Sequence, residues 1–156
     1  MRLILQRVKW ARVSAQAEEP AETGPGLLVL AGFAAGDEQL RGCREWKLML
    51  DKLLGLRIFS DAQGKMNLSL EDIQGWILLV PQFTLYADCR KGRRPGFSAS
   101  APYETGQRLF DLFHADLKQR WTQVKTGFFG ADMDVELNNQ GPVTIILDSD
   151  HFSKNV

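Results

Sequence analysis

The sequence predicts a mixed α/β fold in a single domain, with strand-rich mixed sheets and two main helices. Three observations carry this reading. Short runs of β-forming residues recur along the chain, and two are apolar throughout, the pattern of strands buried on both faces. Two longer segments instead repeat their apolar residues at helical spacing. No repeat, low-complexity tract or linker divides the 156 residues, which suffice for one domain with a real core.

Residues 3–8 and 11–15 are short β-forming segments expected to pair with each other. Gly24-Pro25-Gly26 is a turn, and Leu27-Leu28-Val29-Leu30-Ala31-Gly32-Phe33 is a buried strand. Asp37 is placed to cap a helix running to Leu54, with Leu40, Cys43, Trp46, Leu50 and Leu53-Leu54 as its apolar stripe. Arg57-Ile58-Phe59 is a short strand, and Asp61-Ala62-Gln63-Gly64 has turn chemistry. Residues 76–80 form a second buried strand that feeds into Pro81-Gln82-Phe83-Thr84-Leu85. Residues 89–97 are a basic, glycine-containing loop. A second helix opens near Pro102, a residue suited to a first helical turn. Leu109, Phe110, Phe113, Leu117 and Trp121 supply its buried stripe. Residues 124–127, 133–137 and 143–147 close the chain as strands.

Apolar residues make up 44% and charged residues 24% of the chain, which places it with globular rather than disordered or fibrous proteins. Nineteen Lys and Arg balance nineteen Asp and Glu. Any nucleic-acid site must therefore be local rather than a global basic field. No apolar stretch approaches the length of a membrane helix, and the chain turns polar too soon after Met1 for a signal peptide. Cys43 and Cys89 form no CxxC pair. That argues against a disulfide framework or a zinc site and fits a reducing cytoplasm. His114 and His151 stand in no metal-ligand spacing, so no metal is expected.

The chain contains no GxSxG elbow, P-loop, HExxH box or GxGxxG fingerprint. Of the hydroxyls Ser69, Thr84, Ser98 and Thr144, Thr84 stands out because it follows a buried strand where the chain leaves the sheet. It reads equally as a strand threonine with a satisfied hydroxyl. Arg90, Lys91, Arg93 and Arg94 are either a phosphate grip, by charge and backbone N–H groups, or a solvated surface loop. Phe97 beside them suits base stacking or a place in the core. The glycine-bracketed aromatics of Gly127-Phe128-Phe129-Gly130-Ala131-Asp132-Met133 suit a flat nucleobase slot, with Met133 as adaptable filler. They also suit a turn with core aromatics. Pro142 cannot donate to a ladder, and Gly141 allows close backbone approach. Gly141-Pro142 is thus a loop ending at a strand, or a rigid backbone probe with access to the cis form.

Several segments, taken in order, resemble the D-aminoacyl-tRNA deacylase family of the D-tyrosyl-tRNA deacylase type. They are Gln6-Arg7-Val8, Gly24-Pro25-Gly26-Leu27-Leu28-Val29-Leu30, Arg57-Ile58-Phe59, Gly64-Lys65-Met66-Asn67-Leu68, Gln82-Phe83-Thr84-Leu85, Lys91-Gly92-Arg93-Arg94-Pro95, Phe129-Gly130-Ala131-Asp132-Met133 and Asn139-Gln140-Gly141-Pro142-Val143-Thr144. The likeness covers a domain of residues 1–148 and leaves residues 149–156 as a C-terminal tail. It implies that family's fold and a homodimer with the active site at the interface. It implies a cytoplasmic hydrolase, free of cofactor and metal, acting on the acceptor end of aminoacyl-tRNA. The reaction implied is hydrolysis of the ester of a D-amino acid, or of glycine, as proofreading in translation.

By the same likeness, Gln82, Phe83 and Thr84 are the catalytic strand end. The main-chain N–H groups of Phe83 and Thr84 face the ester carbonyl, assisted by the 2′-hydroxyl of the terminal ribose. Gly141 and Pro142, joined by a cis bond, enter the partner subunit's pocket as a chirality filter. Phe129, Gly130, Ala131 and Met133 match an adenine slot. Arg7 supports the Gly-Pro loop, with Asn139 beside it, and Lys91, Arg93 and Arg94 are placed for tRNA phosphate. Pro81 departs from the family's usual serine. That change raises the alternative of a paralogue with relaxed chirality, while the basic loop and the missing side-chain nucleophile raise another, a tRNA-end binding module without catalysis.

Overall fold

The computed structural model describes residues 1–153, so residues 154–156 of the tail lie outside the described residues. The sheet grows from β1 (Arg2–Ala15). Its first half pairs antiparallel with β3 (Gly26–Gly32), from Arg2 opposite Gly32 to Val8 opposite Gly26. Its second half pairs with β2 (Ala21–Thr23). β3 continues in parallel to β6 (Trp76–Pro81), and β6 to β7 (Val124–Thr126). The other edge of β1 is covered along most of its length by β8 (Met133–Asp148), which completes a six-stranded sheet. A separate hairpin joins β4 (Phe59–Ser60) to β5 (Met66–Leu68), with the Asp61 carboxylate accepting from the Gln63 and Lys65 amides in its turn.

The alternation of side chains explains the two cores. On β3 and β6, Leu27, Val29, Ile77 and Leu79 face one side, and Leu28, Leu78 and Val80 the other. Both faces are buried, which is why these strands are apolar throughout. The first face is covered by α1 (Arg44–Gly55) and α2 (Tyr103–Arg120). Trp46 of α1 meets Phe113 of α2 edge-on at 5.4 Å, and its indole N–H donates to Asp116 at 2.9 Å. The second face is closed by the far halves of β1 and β8, through Ala11, Val13, Met133, Val135 and Leu137.

Three expectations change. Residues 3–8 and 11–15 are one strand, not a pair. Its phase slips between Val8 and Ala11, where pairing with β8 is irregular, so that Ala11 and Val13 share the face of Val8 rather than of Leu5. Residues 133–137 and 143–147 are likewise one strand that runs through Gly141-Pro142. The helix foreseen from Asp37 is broken. Asp37–Leu40 is a 3-10 turn, Gly42 takes φ +81, and α1 starts afresh at Arg44. The buried Asp37 instead accepts from the Ala34 amide at 2.6 Å and pairs with the Met1 ammonium at 2.7 Å. The same ammonium donates to Ser149, which opens a last 3-10 turn, Ser149–Phe152.

At the start of the parallel pair, a Cβ on Gly26 would lie 2.5 Å from the Trp76 nitrogen, a contact only backbone movement could relieve. Gly26→Ala is expected to cost about 3 kcal/mol, read as a lower urea midpoint at unchanged m-value. An unaltered midpoint would show that this close approach does not constrain the sheet.

Candidate functional site

The site forms where β6 leaves the sheet. Leu79 turns toward β7 and accepts from Gly127 at 2.8 Å, whereas Gln82 turns toward β3 and donates to Ala31 at 2.8 Å. By alternation Pro81 lies on the β7 side, and lacking an N–H it ends that ladder. Beyond this point β7 parts from β6, and a cavity of about 620 Å³ opens between the strand ends, the start of α2 and the loop before β8. Its walls are mostly apolar, with Pro81, Gln82 and Phe83 on one side and Phe129, Gly130, Ala131 and Met133 on another.

The chain after Gln82 folds into a 3-10 turn, Phe83–Tyr86. Its carbonyls are occupied one by one. Gln82 O accepts from the Leu85 amide at 3.3 Å, and Thr84 O from Ala87 at 3.0 Å. Phe83 O accepts from the Ser100 hydroxyl at 3.0 Å, and Leu85 O from the Arg2 guanidinium at 2.7 Å. Among the described residues, nothing accepts from the Phe83 or Thr84 amide. The turn therefore presents two unused N–H donors in sequence, the arrangement that stabilises negative charge on a carbonyl oxygen. The Thr84 hydroxyl accepts from the Gln82 side chain at 2.5 Å, and Thr84 itself stands outside the cavity lining.

Phe129 meets Tyr103 edge-on at 5.2 Å. Gly130, at φ +75, sits against that ring, and a Cβ there would lie 2.8 Å from Tyr103 Cε2. Met133 Sδ accepts from the Phe128 amide at 3.3 Å. Tyr103, Ser100 and Gly32 also belong to this cavity and escaped the sequence reading. An exposed aromatic directly after Pro102, outside the buried stripe of the helix, was the one available signal for Tyr103. Gly32 gave none: its role depends on Gln82 O and Leu85 Cβ, which a Cβ would approach to 2.8 and 3.1 Å.

The Gly141-Pro142 bond is cis, and both residues are exposed on β8, outside the cavity of their own chain. Buried Arg7 donates to Gln140 O at 3.0 Å and to Ile58 O at 2.6 Å. A Cβ on Gly141, which has φ +128, would approach Arg7 Nη2 to 2.7 Å. Asn139 closes the loop, its side chain accepting from the Val143 amide at 3.0 Å and donating to the Thr144 hydroxyl at 3.2 Å.

The basic loop is pinched by reciprocal backbone bonds between Asp88 and Gly96, and Arg90 is paired with Asp88 at 2.8 Å. Lys91, Arg93 and Arg94 are exposed and have no carboxylate partner among the described residues. The loop leads into Phe97, which is neither core nor detached. It lines the cavity and meets Phe83 edge-on at 5.1 Å. Among the described residues, no three His, Cys, Asp or Glu side chains converge to hold a metal ion, and no helix is long and apolar enough to cross a membrane.

Fold and site together define a single-domain α/β protein in which a mostly apolar cavity opens beside a turn with two unused main-chain donors. The family model for D-Tyr-tRNA(Tyr) deacylase matches residues 4–148, and the chain belongs to that family. It is 51% identical over 150 residues to a D-aminoacyl-tRNA deacylase of Prosthecochloris aestuarii, covering 96% of this chain and 99% of that one. It is 49% identical to a D-aminoacyl-tRNA deacylase of Chromohalobacter salexigens, covering 96% and 100%. Among solved structures, a c-Myc DNA Unwinding Element Binding Protein superposes with a TM-score of 0.85 at 37% identity, covering 95% of this chain and 98% of that one.

Arg7→Met removes both bonds from a buried guanidinium and leaves two carbonyls short of a donor. A loss of about 2–3 kcal/mol is expected by chemical denaturation, with faster amide exchange confined to residues 139–143. Unchanged exchange there would show that Arg7 does not hold the loop.

Proposed function

We propose that this protein hydrolyses the ester of D-aminoacyl-tRNA, and of mischarged glycyl-tRNA, as chiral proofreading in translation. Family membership supports the reaction class. The observation that carries the mechanism is the pair of unused amides, Phe83 and Thr84, on a turn held through the carbonyls of Gln82, Phe83, Thr84 and Leu85. The terminal adenine enters between Phe129, Gly130, Ala131 and Met133, and the acylated ribose lies toward Gln82. Water adds to the ester carbonyl, and the charge that develops on its oxygen is met by the two amides. The bond to the ribose oxygen then breaks, the proton passes to that oxygen, and free amino acid and tRNA leave. The vicinal 2′-hydroxyl of the substrate orients the water, so no side-chain nucleophile is required.

Gly141 and Pro142 lie outside their own cavity, so they serve as filter in the cavity of a second copy. A rigid backbone wall there leaves room for hydrogen on one side of the substrate Cα and excludes an L side chain by overlap. It tolerates any D side chain because it reads only the substituents of Cα. Lys91, Arg93 and Arg94, unpaired at the rim, meet tRNA phosphates. The working domain is residues 1–148, with Ser149 bonded to its N-terminal residue.

Incubation with D- and L-aminoacyl-tRNA bearing the same side chain is expected to release only the D-amino acid. Release of both would replace this reading by the relaxed-chirality one that Pro81 suggests, and release of neither by the binding module. A homodimer is expected at micromolar concentration by sedimentation. A fully active monomer would contradict a site shared between subunits.

A further inference from the structure

We infer that Arg2, gripped by Asp148, is a positioning residue that fixes the donor-bearing turn by holding the Leu85 carbonyl. The inference rests on the deacylase reading of that turn and adds a residue that does not itself line the cavity. Arg2 donates through Nε to Asp148 Oδ2 at 2.9 Å, while Nη2 lies 2.7 Å from the same oxygen. Its remaining nitrogen, Nη1, reaches Leu85 O at 2.7 Å. The guanidinium also lies 4.9 Å from the centre of the Tyr86 ring, so the fork is fixed on three sides.

Asp148 is itself held. Its Oδ1 accepts from the Asp150 amide at 3.2 Å, and burial at 7% exposure keeps it from rotating into solvent. Burial works against its charge, but the Arg2 hydrogen bond, the Asp150 amide and the Arg2 and N-terminal charges outweigh it. They hold the carboxyl below its ordinary value, so the pair is ionised at neutral pH. Tyr86 is pushed up by burial and by the charges of Asp37 and Asp148, so its hydroxyl stays neutral beside the pair.

The other three carbonyls of the turn are bonded to Leu85, Ser100 and Ala87. Two of these bonds are internal to the turn and move with it. Among the described residues, only Ser100 and Arg2 tie the turn's carbonyls to other parts of the fold, and of these Arg2 alone is itself clamped by an ion pair. A 3-10 turn of four residues has no long ladder to define its direction. An outside clamp at its end therefore sets where the Phe83 and Thr84 amides point. Donors that stabilise a transition state act only when aligned beforehand, and small misplacements cost rate rather than binding.

The test compares Arg2→Met, Arg2→Lys and Asp148→Asn with the natural chain, with Arg120→Met as a surface control. Two quantities are read on D-aminoacyl-tRNA: the single-turnover rate at saturating enzyme, and KM. Amide exchange of residues 83–87 is followed on the same samples. Arg2→Met is expected to slow the chemical step about tenfold at unchanged KM, with faster exchange at residues 83–87. Arg2→Lys, a single ammonium in place of the fork, should recover part of the rate. Arg120→Met should change neither quantity. An Arg2→Met protein with natural rate and exchange overturns the inference. So does one whose rate falls only in proportion to its unfolded fraction, with exchange at residues 83–87 raised no more than elsewhere. Should Arg2→Met not fold, an Arg2→Lys or Asp148→Asn protein with unaltered exchange at residues 83–87 overturns it equally. Failure of the natural chain to release D-amino acid would instead overturn the deacylase reading, while the exchange measurement still decides whether Arg2 holds the turn.

Discussion

The parallel pairing of β3 with β6 is the contact on which the rest of this structure depends. It brings two fully apolar strands side by side, and their opposite faces seed the two cores. The pairing is close because Gly26 sits at one end, against the Trp76 backbone, and Gly32 at the other, against Gln82 and Leu85. Its last bond, from Gln82 to Ala31, delivers the chain to the cavity in a fixed direction. The stripes of the two helices cover one face of the sheet and leave the strand ends free to build the site.

That site is assembled from main-chain groups, and its order comes from keeping count of them. Four successive carbonyls each find a donor, two within the turn and two from elsewhere. Two amides are left without an acceptor. A buried polar group normally carries a cost when unpaired, and here the unpaired groups stand at the mouth of a cavity where a substrate oxygen can replace water. The loop of Gly141 and Pro142 is held in the same way: Arg7 and Asn139 bond to the backbone on either side of it and leave Gly141 and Pro142 exposed.

Much of the fold was legible wherever the signal was local. The strands at 27–33 and 76–80, the stripe of α2 and the Asp61 turn could each be read from a short window, and each stands within a residue or two of its expected place. The misreadings arose where a long-range partner decided the outcome. Lys9 and Trp10 look like a break between two strands, and Asn139 to Pro142 like another. Each is an irregularity inside a long strand, because β1 and β8 pair from opposite ends of the chain and hold one another straight. The resemblance rested on an ordered series of motifs, of which Pro81, Gln82 and Phe83 meet Phe129, Gly130, Ala131 and Met133 around one cavity. Gly32, Ser100 and Arg2 were silent, because each acts on a carbonyl or a gap supplied by a remote segment.

A turn that works through its amides has no side chain to label. Reagents that trap an activated serine or cysteine find no target there, and alanine scanning of the turn itself leaves the donors in place. Replacement of the Phe83 or Thr84 amide by an ester linkage, which deletes an N–H and keeps the side chain, would separate the turn's chemistry from its scaffold. By that approach the two donors can be weighed singly, which no change of side chain can do.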